Sequence, residues 1–323
     1  MRPAQQPRRQ PAITLLSLAR PSDRGYMGAV ITRRKAIGTG FCAAAAGLAA
    51  LAGRPKWTAA DELAAASPWS AGLGARMRLV RGSPLGDKDA YAAGIEIALD
   101  PGYKTYWRMP GDAGVPPVFD WSGSQNLAAL APAWPAPRRL EEAGVSVIGY
   151  DGEGVVLPLR IAAADARAPV ELKLSLAYAA CKAICVPEKG EAALSLPQGA
   201  REGLYAALID AAAREVPKRI EAAALWLDRP EAVLLSLSAS DPGLHLRPVL
   251  GAEEHLLDAF VEGAERWLFG APRQGGNSAP GVIRLPLLDH PKRVDRAADI
   301  PFTLTMLTDM RAVETTIAAR PAG

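Results

Sequence analysis

The run VELKLSLAYAA (170–180) constrains the fold of this chain more than any other stretch. Leu172, Leu174, Leu176 and Tyr178 fall on one side of an extended chain, and Glu171, Lys173 and Ser175 on the other. A period of two with one apolar face is the pattern of a half-buried strand in an antiparallel sheet. ARMRLV (75–80), GIEIALD (94–100) and GVVLPLRIAAA (154–164) read the same way, with Ile95, Ile97 and Leu99 sharing a face. The segments between them, DPGYKTYWRMPGDAGVPP (100–117) and PAWPAPRRL (132–140), are dense in Pro and Gly and read as loops. Short strands joined by such turns, with no helix between them, predict a β-sandwich.

One helix is expected, over REGLYAALIDAAAREV (201–216). Leu204, Ala207, Leu208 and Ala211 recur at i, i+3, i+4 and i+7, and Pro217 ends the pattern. Strand-like runs resume at 232–240, 259–270, 281–288 and 301–310, with a turn at 273–281. The reading is therefore all-β: a sandwich over 69–200, a connecting helix over 201–217, and a second, smaller β-sandwich domain over 218–320.

The first 56 residues have a different composition. They hold ten Lys/Arg and one acid, Asp23, which leaves 27 basic and 33 acidic residues in the remainder. The formal charge of +3 thus belongs to the leader. The rest is mildly acidic without a basic cluster, which argues against nucleic-acid binding. ITRRKAIGTGFCAAAAGLAALAG (31–53) has a basic start, an apolar run and a small-x-small end at Ala50-Leu51-Ala52, the pattern of a cleaved export signal. Arg33-Arg34 sits where a twin-arginine signal would place it, although Ala36 and Gly38 depart from that motif. Met27 is a candidate start. The mature protein is expected to be periplasmic and soluble after signal removal.

Cys42 leaves with the leader, so the exported chain keeps Cys181 and Cys185, in YAACKAICVPEKG (178–190). If CKAIC forms one helical turn, the two Cα atoms stand about 6 Å apart, within reach of a disulfide. So small a loop contributes little loop-entropy stabilisation, and a chain this long does not need a staple to fold. Three readings compete: a static disulfide, a clamp for copper or another soft metal, and a redox-active dithiol. A metal clamp needs a third ligand. His245, His255 and His290 are distant in sequence, and Met77 and Met109 have no recommending spacing. A dithiol would work by thiol–disulfide exchange, with Lys182 and Lys189 favouring a thiolate and Glu188 opposing them.

YAACKAICVP, with PGYKTYWRMPGDAGVPPVFDWSGS (101–124) and WPAPRRLEEAGVSVIGY (134–150), resembles the amino-terminal periplasmic domain of the DsbD/ScsB-type thiol:disulfide interchange reductases. The resemblance covers about 69–200; residues 215–315 resemble, less specifically, the second sandwich of the ScsB-like branch. It implies an immunoglobulin-like fold for the first domain, and electrons passed between a membrane domain and periplasmic partners through Cys181 and Cys185 as catalytic residues. It further implies that Cys185 makes the mixed disulfide and Cys181 resolves it. Thioredoxin-fold periplasmic proteins are the implied partners. The chain ends before any membrane or thioredoxin-like domain, so the implied electron donor is a separate membrane protein. No cofactor or metal site is called for.

Tyr103, Tyr106 and Trp107 crowd one loop. They read as a plug at the sandwich end, or as a shield over the dithiol; an acid such as Asp112 near the pair would raise the thiol pKa. No Ser/His/Asp set, phosphate-cradling loop or acidic cluster is visible. Two functions remain: a thiol:disulfide exchange protein, and a non-enzymatic interaction or copper-tolerance module with a structural or Cu(I)-binding cysteine pair.

Overall fold

The computed structural model describes residues 65–322, apart from 87–89, 143, 198–202, 228, 230, 231, 265 and 275–280. The leader, including Met27, Arg33, Arg34 and Cys42, and most of the turn expected at 273–281 lie outside the described residues. Before the helix run β1 (Ser70–Ala71), β2 (Ala75–Pro84), β3 (Ala90–Leu99), β4 (Thr105–Gly111), β5 (Val118–Asp120), β6 (Leu127–Pro132), β7 (Arg138–Glu142), β8 (Val145–Tyr150), β9 (Gly154–Ala163), β10 (Val170–Cys181) and β11 (Cys185–Leu196). Helix α1 (Ala206–Arg214) follows. After it come β12 (Lys218–Arg219), β13 (Val233–Ser236), β14 (Gly243–Leu246), β15 (Leu256–Glu262), β16 (Leu268–Phe269), β17 (Arg273–Gln274), β18 (Ile283–Asp289), β19 (Ile300–Thr308) and β20 (Ala312–Ala322).

The alternating runs become strands because each can place one apolar face on a shared core. Sheet β1-β2-β3-β9-β6 and sheet β11-β10-β5 lie face to face. Met77, Leu79, Ile95, Ile97, Leu157 and Ile161 of the first meet Leu172, Leu174, Leu176, Tyr178, Leu194 and Leu196 of the second. This is the expected sandwich, all-β and two-layered. A third sheet, β4-β8-β7, leans on one end of it. Its strand β4 occupies the 100–117 segment that composition assigned wholly to loop. Glycine and proline mark the ends of that segment, while Thr105, Tyr106 and Trp107 between them are β-formers with a core to enter.

Helix α1 is shorter than the expected 201–216 and presents a different face. Ala206 and Ile209 are buried, whereas Ala207, Leu208 and Ala211 are exposed. Ile209 settles over Gly82 and Gly94, where a Cβ would stand 2.9 and 3.2 Å from its side chain. The bare patch those two glycines leave on the sheet, rather than the Leu/Ala stripe, sets the helix's rotation.

The second β domain is one long sheet, β15-β19-β20-β13-β14-β18-β16, with β12 on β20 and β17 on β18. The end strands β15 and β16 approach one another, so the sheet curls around its own core. Trp267, Phe269 and Phe302 fill that core, with Trp267 edge-on to Phe302 at 5.3 Å between centroids. The run at 259–270, expected as one strand, is two, β15 and β16. Strand β20, which sequence patterning passed over, is its longest element and pairs parallel to β13. No helix among the described residues is long and apolar enough to cross a membrane.

Candidate functional site

Cys181 and Cys185 close the tip of the β10–β11 hairpin. The two strands pair in unbroken register from Val170↔Leu196 to Cys181↔Cys185, leaving Lys182, Ala183 and Ile184 as the turn. The expected helical turn does not form. Both cysteines belong to strands, and their Cα atoms are 4.2 Å apart rather than about 6 Å. The backbone of Cys181 explains the close approach. Its N–H donates to Lys104 O (2.9 Å) and its carbonyl accepts from Lys104 N (2.8 Å), on the side away from Cys185. Cys181 and Cys185 thus face each other as a non-hydrogen-bonded antiparallel pair, the register at which side chains come closest. The sulfurs are joined in a disulfide.

The alternation of β10 shows which face carries the sulfur. Even-numbered residues from Leu172 to Ala180 enter the sandwich core. The odd positions, with Lys173 and Ala177 exposed, form the outer face of the sheet. Cys181 lies on that outer face, yet it is fully buried together with Ala179. The cover is the β4-β8-β7 sheet, which lays Tyr106, Val147 and Leu140 on Ala179, Cys181 and Cys185. Thr105 Oγ1 donates to Ala179 O at 2.9 Å and ties the cover down. Cys185, opposite, is half-buried, and Ile184 beside it is 77% exposed.

Tyr106 makes the polar contact at the pair. Its Oη lies 2.8 Å from Cys181 Sγ and 2.7 Å from Cys185 Sγ. A disulfide carries no proton, so the phenol is the donor and its hydrogen is shared between the two sulfurs. The three aromatic residues of this segment therefore divide. Tyr106 touches the disulfide. Trp107 points the opposite way, onto Phe260 at 5.7 Å. Tyr103 packs on the positive-φ Gly74, with Lys182 Nζ 5.6 Å from its ring.

The charged residues expected to tune the sulfurs are engaged elsewhere. Lys182 Nζ donates to Pro101 O (3.2 Å), Lys189 pairs with Glu191 (2.9 Å), and Glu188 accepts from Leu73 N (2.7 Å). Asp112 is exposed beyond the end of β4, its N–H on Ser146 O at 3.2 Å. Among the described residues, the histidines and the two candidate methionines lie away from the pair. His245 is on β14 of the second domain, His255 contacts Asp309 and His290 stacks on Trp267. Met77 is inside the sandwich core, and Met109 packs in the Trp107 cluster. Among the described residues no three metal-ligating side chains converge.

The covering sheet has a second face, turned to the second domain. Side chains alternate between the two sides along β7 and β8, and along β4 as far as Trp107, after which the pairing with β8 shifts register and Arg108 also turns to the second domain. Tyr106, Leu140 and Val147 meet the hairpin tip, while Trp107, Arg139 and Ile148 face Phe260 and its neighbours on β15. Arg108 of β4 forms a two-point ion pair with Glu262 (Nη2–Oε1 2.6 Å, Nε–Oε2 2.9 Å) and reaches Glu314 of β20. Burial opposes the Arg108 charge, but the two carboxylates outweigh it and raise its pKa. Arg139 of β7 pairs with both oxygens of Asp258, each at 3.1 Å, and donates to Ala259 O. Sequence patterning missed these arginines, as it missed Lys104, Leu140 and Val147, because their partners lie on remote strands.

The fold and the site together define a class: an all-β scaffold presenting a cystine at the tip of a sandwich hairpin, under a small covering sheet. Residues 78–197 match the family model described as "Thiol:disulfide interchange protein DsbD, N-terminal", and this stretch is a DsbD/ScsB-type amino-terminal domain. Among solved structures, the N-terminal periplasmic domain of ScsB from Proteus mirabilis superposes with a TM-score of 0.60 at 21% identity. That match covers 80% of this chain and 99% of the other, so the likeness of fold takes in the second β domain as well. The yeast GGA1 GAE domain aligns with a TM-score of 0.25 at 9% identity, over 41% of this chain and 98% of its own, too weak to bear on either. No curated protein matches the chain.

Proposed function

We propose that this protein is a periplasmic thiol:disulfide exchange protein, passing reducing equivalents through Cys181 and Cys185 to or from a thioredoxin-fold partner. The observation that carries the reading is the disulfide at the hairpin tip, with one sulfur fully buried, the other half-buried, and a phenol hydroxyl on both. A hairpin held in register along its length lets the bond open and close with little backbone change. The match to the DsbD amino-terminal model supports the chemistry, and the leader over 1–56 supports export, with the twin-arginine route as one option. The domain limits we propose are 69–200 and 218–320, joined through 201–217.

In the reduced protein, the Cys185 thiolate attacks one sulfur of the partner's disulfide. The partner's S–S bond breaks, and its leaving sulfur departs as a thiolate that takes up a proton. Cys181, once deprotonated, then attacks Cys185 Sγ, re-forming the Cys181–Cys185 disulfide and releasing the partner's second thiol. Two electrons and two protons have passed to the partner. A separate membrane protein bearing a dithiol resets the pair by the same exchange in reverse. The greater exposure of Cys185 supports its role as the attacking sulfur, with Cys181 resolving.

The test is to mix mature Cys181→Ala protein with oxidised thioredoxin-fold proteins and look for a mixed disulfide through Cys185. An adduct, together with a wild-type reduction potential above about −300 mV, is expected. No adduct, with stoichiometric Cu(I) uptake by the wild type, would transfer the assignment to a copper-binding module.

A further inference from the structure

The sheet that covers the cysteines is held from behind by the second domain, and that arrangement has a consequence for access to the sulfurs. In the order β4-β8-β7 both outer strands are tied to the second domain: β4 through Arg108 to Glu262 and Glu314, β7 through Arg139 to Asp258. The central strand β8 gives Val147 to the cysteine side and Ile148 to the Phe260 side. The same three strands therefore form the lid of the site and one wall of the domain interface. Cys181 has no exposed surface while they stay in place.

We infer that the second domain acts as a clamp on this lid, and that Arg108 and Arg139 are positioning residues that set how often the cysteine pair becomes accessible. The inference rests on the exchange reading above. The interface joins a small buried apolar patch, Trp107 and Ile148 on Phe260, to ion pairs on both outer strands of the lid. The ion pairs of Arg108 border a solvent cleft of about 780 Å³, lined by Arg108, Trp134, Arg219, Glu262 and Glu314, and the Arg139–Asp258 pair keeps some solvent exposure. Trp107 Nε1 is buried without an acceptor among the described residues, which weakens the hold of the closed arrangement. Charged and polar contacts beside water separate at less cost than a continuous apolar seam. A partner that contacts both the hairpin tip and the lid can thus shift the lid toward its open state, provided it binds that state more tightly.

The clamp is tested without any partner, by the alkylation rate of reduced Cys181 in a Cys185→Ala background. Arg108→Gln and Arg139→Gln, in the full mature chain, are each expected to raise that rate about tenfold, equivalent to 1.4 kcal/mol in the opening equilibrium. Amide exchange in β4, β8 and β7 should quicken in parallel, while amides of the β10–β11 hairpin keep their protection. The charge swap Arg139→Asp with Asp258→Arg should restore the slow rate. Unchanged alkylation and exchange in the folded single variants, or a swap that fails to restore them, overturns the clamp. If Arg108→Gln does not fold, Arg139→Gln alone decides the matter, since its pair sits on the opposite edge of the lid. A Cys181→Ala protein that forms no mixed disulfide with oxidised thioredoxin-fold proteins refutes the exchange reading, whereas the alkylation result reports on the clamp regardless.

Discussion

Replacing Tyr106 with Phe removes the hydroxyl from both sulfurs and leaves the buried ring to fill its place. In the disulfide form the phenol donates to neutral sulfur, a weak acceptor. After reduction the same hydroxyl, 2.7 Å from Cys185 Sγ, faces a thiolate. Hydrogen bonds to charged groups contribute about 1.5–3 kcal/mol, against about 0.5–1.5 for neutral ones. The hydroxyl therefore favours the reduced, ionised pair by roughly 1–1.5 kcal/mol. Its loss should raise the attacking thiol's pKa by about one unit. Because the reduced form loses stability, the reduction potential should become more negative by about 30 mV at a pH where the thiolate forms. Equilibration of Tyr106→Phe against a glutathione or dithiothreitol series gives the potential, and the pH dependence of alkylation gives the pKa. Thermal unfolding of the oxidised protein should hardly change. If the potential moves by less than about 10 mV and the alkylation profile is superimposable on that of the wild type, the hydroxyl has no part in the exchange chemistry.

Three further outcomes are expected. Glu254, held by Arg311 (2.6 and 3.0 Å), the Gly251 N–H and the Thr308 hydroxyl, has its pKa lowered from 4.5 to about 2. A lowered folded-state pKa stabilises the fold above pH 4.5, and that contribution is lost as pH falls from 4.5 towards 2. Glu254→Gln should therefore cost about 2 kcal/mol at neutral pH, less than the full shift implies because Arg311 is well exposed, and should flatten the acid limb of a denaturation series. Gly149→Ala would set a Cβ 2.0 Å from Thr105 O, forcing β4 away from β8. A loss of about 2–4 kcal/mol by chemical denaturation is expected, with faster alkylation of Cys181; normal stability would mean that the two strands have room to part. Leu176→Ala, at a fully buried core position, should cost about 2–5 kcal/mol in a urea series while the reduction potential stays put.

Some of this architecture was legible from local pattern. The residues of 170–178 could bury Leu172, Leu174, Leu176 and Tyr178 together only as a strand, and the structure has them there. The cysteine pair stood out by spacing and by the lack of other exported cysteines. Its geometry departs from the helical turn that CKAIC would form as a free segment. The strands on both sides already hold the chain in hairpin register, and three residues suffice to turn it.

By itself, the sequence determined that the alternating runs at 75–80, 94–100, 154–164 and 170–180 would be extended, and which two sulfurs would lie within bonding reach, because those are properties of neighbouring residues. Only the tertiary structure decided that Cys181 would be covered, that a tyrosine 75 positions earlier would rest on its sulfur, and that two arginines would tie the cover to the second domain. Nothing within β4 or β7 encodes those partners. A strand's two faces are filled by whatever packs against them, and that choice is made by burial and ion pairing between segments far apart in the chain.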